Sequence, residues 1–318
     1  MTGNSKTDGR SALQADHATR QTPAHVRLSE VVVLAGMVRP TPLSTAVARS
    51  LLDLPVATGL SLLQLWQQQA GTLAAALGVK ALCIRVIVDS ASTPPQTTGD
   101  GPVHVRIDRD PQPLRGTAGV LRDIYAGGDA DEHLLLIHGP QLPLTPLAGL
   151  VDQMASLRAD VAVVCHDNGL PSGLMLIRRR VLDQVGPVGF IDLKEQAMPE
   201  IAKRCNVAVV RQSEPSTIPI RTREDYIHAL RLFALLQRNG GRIQHSPFEE
   251  SWRTAFAVVE EGAKVVKSAR LHDSVILRGA VVERDAIVAG SVIGPGAVVR
   301  AGRRAVNEVV GRGKKVSA

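Results

Sequence analysis

A six-residue repeat near the carboxy terminus restricts the possible folds of this chain more than any other feature of its sequence. Five aliphatic residues follow one another at intervals of six: Val275, Val281, Ile287, Ile293 and Val299. A small or turn-forming residue precedes each of them by two positions: Asp273, Gly279, Asp285, Ser291 and Ala297. The pattern predicts a short left-handed β-helix, whose coils stack aliphatic side chains inside. Because the visible repeat covers less than two coils, we expect it to pack against the preceding domain or a partner subunit for stability.

Ahead of the repeat, short apolar runs alternate with segments of helical periodicity. The run Val31 to Ala35 ends at Gly36 and is typical of a fully buried strand. Apolar residues then recur at helical spacing from Leu62 to Leu77, and Gly78 stands where such a helix would end. A second buried strand is predicted over 81–88. These segments together form a β-α-β unit.

The alternation continues through the rest of this region. The stretch 89–114, rich in Ser, Thr, Pro and Gly, predicts a loop with an edge strand at most. Further strands are predicted at 134–137, 161–165, 174–177 and 207–211, and further helices at 146–158, 195–204 and 223–237. The sequence therefore predicts an α/β fold with a doubly wound, mostly parallel sheet, followed by a short left-handed β-helix.

The pattern also predicts where the parts of the chain begin and end. We expect a disordered tail over 1–26, an α/β domain over 27–238, a linker over 239–265, and the β-helix with a basic tail over 266–318. With 318 residues, of which 44% are hydrophobic, the chain has enough apolar sequence for these two modules.

Composition narrows the classes of function. The net charge of +7 favours polyanions, but only 3% of residues are aromatic, so we expect no specific nucleic-acid site. The sequence contains neither an apolar run of about 18 residues nor a signal-peptide pattern, so we expect a cytoplasmic protein without a membrane partner. Cys83, Cys165 and Cys205 lie far apart, which favours reduced thiols over a metal site.

Three motifs carry a family resemblance. Leu34-Ala35-Gly36 at the end of the first strand, Pro42-Leu43-Ser44, and Gly116-Thr117-Ala118-Gly119 together resemble sugar-1-phosphate nucleotidyltransferases, also called NDP-sugar pyrophosphorylases. The resemblance covers roughly residues 29 to 300, and many members of that family carry a similar β-helix. It implies a reaction in which a sugar 1-phosphate attacks the α-phosphate of a nucleoside triphosphate and releases pyrophosphate.

The resemblance also implies roles for individual residues. Arg39 and Arg49 would be catalytic cations, with Arg49 in place of the family's lysine. The phosphate loop before Arg39 is shorter than in the family and carries Pro40. The implied nucleotide contacts are Leu34, Ala35, Gly36, Gly116, Thr117, Ala118 and Gly119. The implied substrate contacts are Ser172 and Gly173. The family's Glu-Lys segment for the sugar phosphate is missing, and the charged cluster ahead of a helix offers Lys194 and Glu195 as substrate contacts instead, or else serves as a helix cap with exposed charge pairs.

The metal positions depart from the family pattern. Where the family has two carboxylates that hold a divalent ion, this chain has Pro140 and Pro219. Because a proline side chain has no oxygen, we expect no metal and no other cofactor there. Mg²⁺ is expected only if other acids rebuild the site, and the candidates are Asp89, Asp167, Asp192 and Asp225.

Three hypotheses follow. The first is a degenerate nucleotidyltransferase, a pseudoenzyme that binds a nucleotide or sugar nucleotide and acts as a regulatory or structural partner in sugar-nucleotide biosynthesis. Its partners would be further copies of the chain or a related subunit. The second is an active nucleotidyltransferase with a rearranged site. The third is a hexapeptide acyltransferase, for which His272 is the histidine nearest the repeat.

Overall fold

The computed structural model describes residues 26–36, 40–80, 82–97, 101–110, 115–125, 127–238 and 256–312. The predicted tail, most of the predicted linker and the basic carboxy-terminal residues lie outside these ranges. Within them, no helix combines the length and the apolar character needed to cross a bilayer.

The amino-terminal part of the described chain alternates strands and helices. Its strands are β1 (Leu28–Leu34), β2 (Pro55–Ala57), β3 (Leu60–Ser61), β4 (Cys83–Val88), β5 (His104–Arg109), β6 (His133–His138), β7 (Gln141–Pro143), β8 (Val161–His166), β9 (Pro171–Arg178), β10 (Val207–Gln212) and β11 (Thr217–Pro219). Its α-helices are α1 (Pro42–Val47), α2 (Leu62–Leu77), α3 (Gly116–Tyr125), α4 (Leu147–Ser156), α5 (Arg179–Leu182), α6 (Met198–Ile201) and α7 (Arg223–Arg238). A 3₁₀ turn covers Leu51–Asp53, and a π-helical turn covers Leu193–Ala197.

A seven-stranded sheet forms the centre of this domain, in the order β10-β8-β9-β6-β1-β4-β5. Neighbouring strands are parallel except at β9, which runs antiparallel to both β6 and β8. Only residues 167–170 separate β8 from β9, and a connection that short cannot make a parallel crossover. The predicted mostly parallel α/β sheet is therefore confirmed, with one antiparallel strand.

Helices cover both faces of the sheet. One buried cluster contains Trp66 of α2, Met154 of α4 and Tyr226 of α7, and the other contains Leu121 of α3. The inner strands have apolar residues on both faces, as a doubly covered sheet requires.

Local capping fixes the predicted helix 62–77. The Ser61 hydroxyl accepts from the Gln64 amide, and the Gln64 side chain accepts from the Ser61 amide in return. At the other end Gly78 has a φ of 66°, a left-handed conformation that glycine adopts without steric cost. The helix begins and ends where the sequence predicts.

The predicted helix 195–204 has a different form. Asp192 caps a π-helical turn that begins at Leu193, and α6 follows from Met198 to Ile201. Pro199 lacks the amide hydrogen that a continuous helix would use, so the segment divides into two short pieces.

The carboxy-terminal part is a β-helix built from three parallel sheets. Its strands are β12 (Ala257–Val259), β13 (Lys264–Val265), β14 (Arg270–His272), β15 (Ser274–Ile276), β16 (Val281–Val282), β17 (Ile287–Ala289), β18 (Val292–Ile293), β19 (Val298–Val299), β20 (Arg304–Val306) and β21 (Val309–Val310). The sheets are β12-β15-β18-β21, β13-β16-β19 and β14-β17-β20. The first coil begins at Ala257, inside the predicted linker, so the β-helix starts earlier and covers about three coils rather than fewer than two.

Each coil contains 17 residues rather than three full hexapeptides. Val258 pairs with Val275 and Val292 pairs with Val309, partners that are 17 residues apart in both cases. The side chains inside the β-helix are therefore spaced by six, six and then five residues: Ile276, Val282, Val288, Ile293, Val299, Ala305 and Val310.

This spacing corrects the predicted register of the repeat. Ile293 and Val299 lie inside, but Val281 and Ile287 are only partly buried, and Val275 packs against the α/β domain. The corners explain three of the small and turn-forming residues, because Asp273, Gly279 and Asp285 adopt the left-handed conformation there, whereas Ser291 and Ala297 are buried directly after left-handed glycines. Equivalent positions in successive coils share this conformation. These residues are Gly262, Gly279 and Gly296 at one corner, Asp285 and Gly302 at the next, and Asp273, Gly290 and Asn307 at the third.

The β-helix packs on the α/β domain through the sheet β12-β15-β18-β21. Val258, Val275, Leu277 and Val292 belong to the same buried cluster as Tyr226. Gly294 allows α1 to approach closely, because a Cβ at this position would lie 2.7 Å from the Ala46 carbonyl oxygen.

The 17-residue register predicts the cost of two neighbouring substitutions. Val288→Ala empties an interior position and should lower the free energy of unfolding by about 2 kcal/mol. Ile287→Ala removes more atoms from a partly exposed side chain and should cost less than about 1 kcal/mol. Urea unfolding of both variants measures the difference, and a larger loss for Ile287→Ala would restore the strict hexapeptide register.

Candidate functional site

A cavity of about 200 Å³ lies at the carboxyl ends of β1 and β4, where open α/β sheets usually bind their ligands. Ala35, Ser44, Arg49, Ser92 and Pro140 are among the residues that line it. The cavity therefore gathers side chains from several loops at one edge of the sheet.

The predicted nucleotide contacts at the end of β1 fall in different surroundings. Ala35 lines the cavity, but its amide donates to the Ile87 carbonyl within the sheet. Leu34 is 6% exposed and packs in the cluster beside α3. At Gly36 a Cβ would lie 3.1 Å from Asp89 Oδ2 and 3.2 Å from the Asp89 amide nitrogen, so any larger residue would be crowded there. Arg39 lies outside the described residues.

Arg49 lines the cavity, but its charge is matched by a residue of the β-helix. Arg49 Nη2 lies 2.9 Å from Glu260 Oε1, and both side chains are about one fifth exposed. The second oxygen of Glu260 accepts from the Arg278 amide at 2.7 Å. Within the described chain, Arg49 Nε is buried without a hydrogen-bond partner. The predicted catalytic cation is thus one half of an ion pair between the two domains.

Asp53 adds a second carboxyl group to this region. Burial raises the pKa of Asp53 to about 6, the Gln96 amide and the charge of Arg49 oppose that rise, and Glu260 adds to it. Gln96 donates to Asp53 Oδ1 at 2.9 Å. The surroundings of Arg49 therefore contain two acids and one cation.

The segment Gly116-Thr117-Ala118-Gly119 forms the first turn of α3. The Ala118 amide donates to the Ile191 carbonyl, and the Thr117 hydroxyl donates to Asp192 Oδ2 at 3.2 Å. Gly116 has a φ of 72°, and a Cβ there would lie 2.4 Å from the Ile191 carbonyl oxygen. These residues hold the loop that carries Asp192, and Thr117 contacts that loop directly through its hydroxyl.

Ser172 and Gly173 pack beneath the edge of the site. Ser172 is 2% exposed, and its carbonyl accepts from the Thr217 hydroxyl. Gly173 has a φ of 87°, and a Cβ there would lie 2.6 Å from Nε2 of the Gln141 side chain. Ser172 thus contacts β11, and Gly173 leaves room for β7.

The two prolines at the predicted metal positions lie next to each other. Pro219 pairs with Gln141 in the antiparallel ladder of β7 and β11. The next amide, that of Ile220, donates to the Pro140 carbonyl at 2.8 Å. The fold thus brings together two positions that are 79 residues apart in the sequence.

The donor groups at this point do not fit a divalent cation. Mg²⁺ prefers carboxylates, carbonyls and water in octahedral geometry, whereas the prolines supply no side-chain oxygen and the Pro140 carbonyl already accepts a hydrogen bond. Across the described ranges, no group of three or more His, Cys, Asp and Glu side chains could hold a metal ion.

The alternative acids have local roles. Asp89 accepts from the amides of Ala91 and Ser92, and Asp225 accepts from the amides of Arg221 and Thr222. Asp192 accepts from the amides of Lys194 and Glu195. Asp167 lies in the turn between β8 and β9. His272 is half exposed, with Nδ1 3.6 Å from Asp273.

A second group of charged side chains, the strand-end cluster, comprises His138, Asp192, Lys194 and Arg221. Burial lowers the pKa of His138 to about 4, and the charge of Lys194 acts in the same direction. Burial also lowers the pKa of Lys194, and the charge of Arg221 adds to the effect. Among the described residues, no carboxylate lies within ion-pair distance of Lys194 or of Arg221.

The strand-end cluster contains two neighbouring cations and one acid, an arrangement that can bind a phosphate-like anion. His138 Nδ1 has no hydrogen-bond partner in the described part of the chain and is buried. The structure brings the predicted Lys194 into the cluster but leaves the Glu195 side chain exposed. Neither His138 nor Arg221 was predicted as a site residue; for His138, its position at the end of a buried strand was the available signal.

No family model matches the sequence, and no curated protein matches it. The solved structure of HddC from Yersinia pseudotuberculosis aligns with a TM-score of 0.48 and 16% sequence identity, covering 65% of this chain and 100% of that chain.

The low pKa of His138 predicts how acid affects stability. Because the folded state keeps the imidazole neutral down to about pH 4, the unfolded chain takes up the proton first as the pH falls below 6.5. The free energy of unfolding of the unmutated protein should therefore fall between pH 6.5 and pH 4. His138→Asn should make that fall smaller by about 1–2 kcal/mol, a figure reduced for the partial exposure of the His138 side chain. Urea unfolding at several pH values measures this, with the exposed His104→Asn as control. An unchanged pH profile for His138→Asn would contradict the assignment.

Proposed function

We propose that this chain is a sugar-1-phosphate nucleotidyltransferase-like protein that has lost metal-dependent transfer and acts as a regulatory or structural partner in sugar-nucleotide biosynthesis. The observation that carries the proposal is that Pro140 and Pro219, the positions where the resemblance implies metal carboxylates, lie side by side: Pro219 pairs with Gln141, and the Ile220 amide donates to the Pro140 carbonyl. We further propose that the protein works in the cytoplasm, with copies of itself or a related subunit as partner.

The chemistry of transfer explains why these two positions matter. The reaction brings two polyanions together, and the charge that develops on the phosphates needs a cation held in place beside them. Carboxylates hold such a cation because they supply hard oxygen ligands. With Pro140 and Pro219 adjacent, replacement of either one alone would not restore a two-carboxylate site.

The strand-end cluster supports a retained capacity to bind the ligand. The positive charge of Arg221 acts on Lys194, and this repulsion is one cause of the lowered pKa of Lys194. A phosphate group between the two would relieve that repulsion and accept charge-assisted hydrogen bonds. A protein that binds a sugar phosphate or sugar nucleotide without transfer can report its concentration to a partner.

A pyrophosphate-release assay tests the loss of transfer. The protein is mixed with Mg²⁺, a panel of nucleoside triphosphates and a panel of sugar 1-phosphates, and we expect no release above the uncatalysed background. Clear Mg²⁺-dependent release that is abolished by Arg49→Gln would overturn the proposal, because it would establish an active site with rearranged ligands.

Calorimetry without metal tests the retained binding. We expect a sugar nucleotide to bind in the absence of Mg²⁺, and Lys194→Gln to weaken that binding about 10-fold or more, because a charge-assisted contact is lost. Lys203→Gln is the matched control, since Lys203 is exposed and pairs with Glu200 on α6. Equal effects of the two variants would rule out a specific role of the strand-end cluster.

A further inference from the structure

We infer that Glu260 of the β-helix determines whether the cavity beside Arg49 accepts an anion, because it occupies the guanidinium that a phosphate would otherwise bind. This inference rests on the proposed function in one respect: both require that a ligand binds at the carboxyl ends of the parallel strands. It goes further in assigning to the β-helix a residue that controls this edge.

The backbone around Arg49 holds this residue at the wall of the cavity. The preceding residue, Ala48, ends α1 in the left-handed conformation, with its amide donating to the Ser44 carbonyl. The following residue, Ser50, caps the 3₁₀ turn by accepting from the Leu52 amide at 3.3 Å. With both neighbours fixed, the Arg49 side chain reaches the cavity on one side and Glu260 on the other.

Glu260 is held in place by the β-helix itself. Its amide donates to the Ile276 carbonyl, and its own carbonyl accepts from the Ala263 amide. One side-chain oxygen accepts from the Arg278 amide, which leaves the other for Arg49. Because these contacts lie within the β-helix, the carboxylate does not depend on Arg49 for its position.

The charges around Arg49 disfavour a second anion. Glu260 and Asp53 both lie close enough to interact with the guanidinium, so at neutral pH the group of three carries a net negative charge. A phosphate in the cavity would meet this charge and would have to compete with Glu260 for Arg49. Both members of the ion pair are largely buried, where the attraction is stronger than in water.

Competition between an anion and Glu260 for Arg49 couples anion binding to the packing of the β-helix on the α/β domain. An anion that binds Arg49 breaks one contact that holds the β-helix on the α/β domain. Loss of that contact in turn favours binding of the anion. The coupling must be equal in both directions, since it is a single free energy shared by the two binding events.

The test uses the full chain and inorganic pyrophosphate as the probe, measured by calorimetry without metal and at constant ionic strength. All variants carry Lys194→Gln, so that the strand-end cluster contributes little to binding. In this background Glu260→Gln should bind pyrophosphate about 10-fold more tightly than its parent. Adding Arg49→Gln to Glu260→Gln should abolish the gain.

Asp273→Asn is the matched control at the same interface. It breaks the ion pair between Arg231 of α7 and Asp273 but leaves the residues of the cavity unchanged. Asn tolerates the left-handed conformation that Asp273 adopts, at a φ of 45°. We expect the pyrophosphate affinity of this variant to stay within about twofold of its parent.

A second arm keeps the inference testable if Glu260→Gln does not fold. With Glu260 intact, Arg49→Gln should change the pyrophosphate affinity by less than about threefold, because Arg49 is already occupied. A 10-fold loss in this variant would overturn the inference, as would an unchanged affinity in Glu260→Gln or an equal gain in Asp273→Asn. Pyrophosphate release in the transfer assay bears only on the proposed function, so the two failures are distinguishable.

Discussion

The packing of the β-helix on the α/β domain is the contact on which the rest of the structure depends. Three coils bury little apolar surface alone, and one of their sheets shares a core with Tyr226. Arginines from the α/β domain add polar contacts along the same side: Arg49 to Glu260, Arg231 to Asp273, and Arg223 to the Gly290 carbonyl. Asp273 has a side chain only 3% exposed, so its charge requires this partner.

The geometry of α7 explains how two of these arginines reach successive coils. Arg223 and Arg231 are two helical turns apart, a rise of about 12 Å, and neighbouring coils are stacked about 4.8 Å apart. Arg231 meets Asp273, and Arg223 meets the turns at Gly290 and Asn307 on the following coils. The third arginine, Arg49, lies at the same interface and also lines the cavity at the end of β1. Domain packing and the electrostatics of the candidate site are therefore parts of one arrangement.

Much of the fold was predictable because it depends on local patterns. Helix 62–77 has its capping box and its terminal glycine in the sequence, and the buried strands are continuous apolar runs. The antiparallel direction of β9 was also within reach, because only four residues connect it to β8. The strict hexapeptide register was wrong from Val275 to Ile287, because one corner of each coil is a residue shorter. The site was less predictable: Lys194 was identified but Arg221 was not, and the ion pair of Arg49 was not anticipated.

The sequence by itself determined the classes of structure, an α/β sheet followed by a β-helix, since apolar periodicity and turn residues act over short distances. It also placed proline at both positions where the resemblance implies metal ligands. Only the tertiary structure decided that Pro140 and Pro219 meet, that the charge of Arg221 acts on Lys194, and that Glu260 neutralises Arg49. These contacts join residues far apart in the chain, and their geometry depends on how the sheet, the helices and the coils pack. No local pattern encodes the distance between two such side chains.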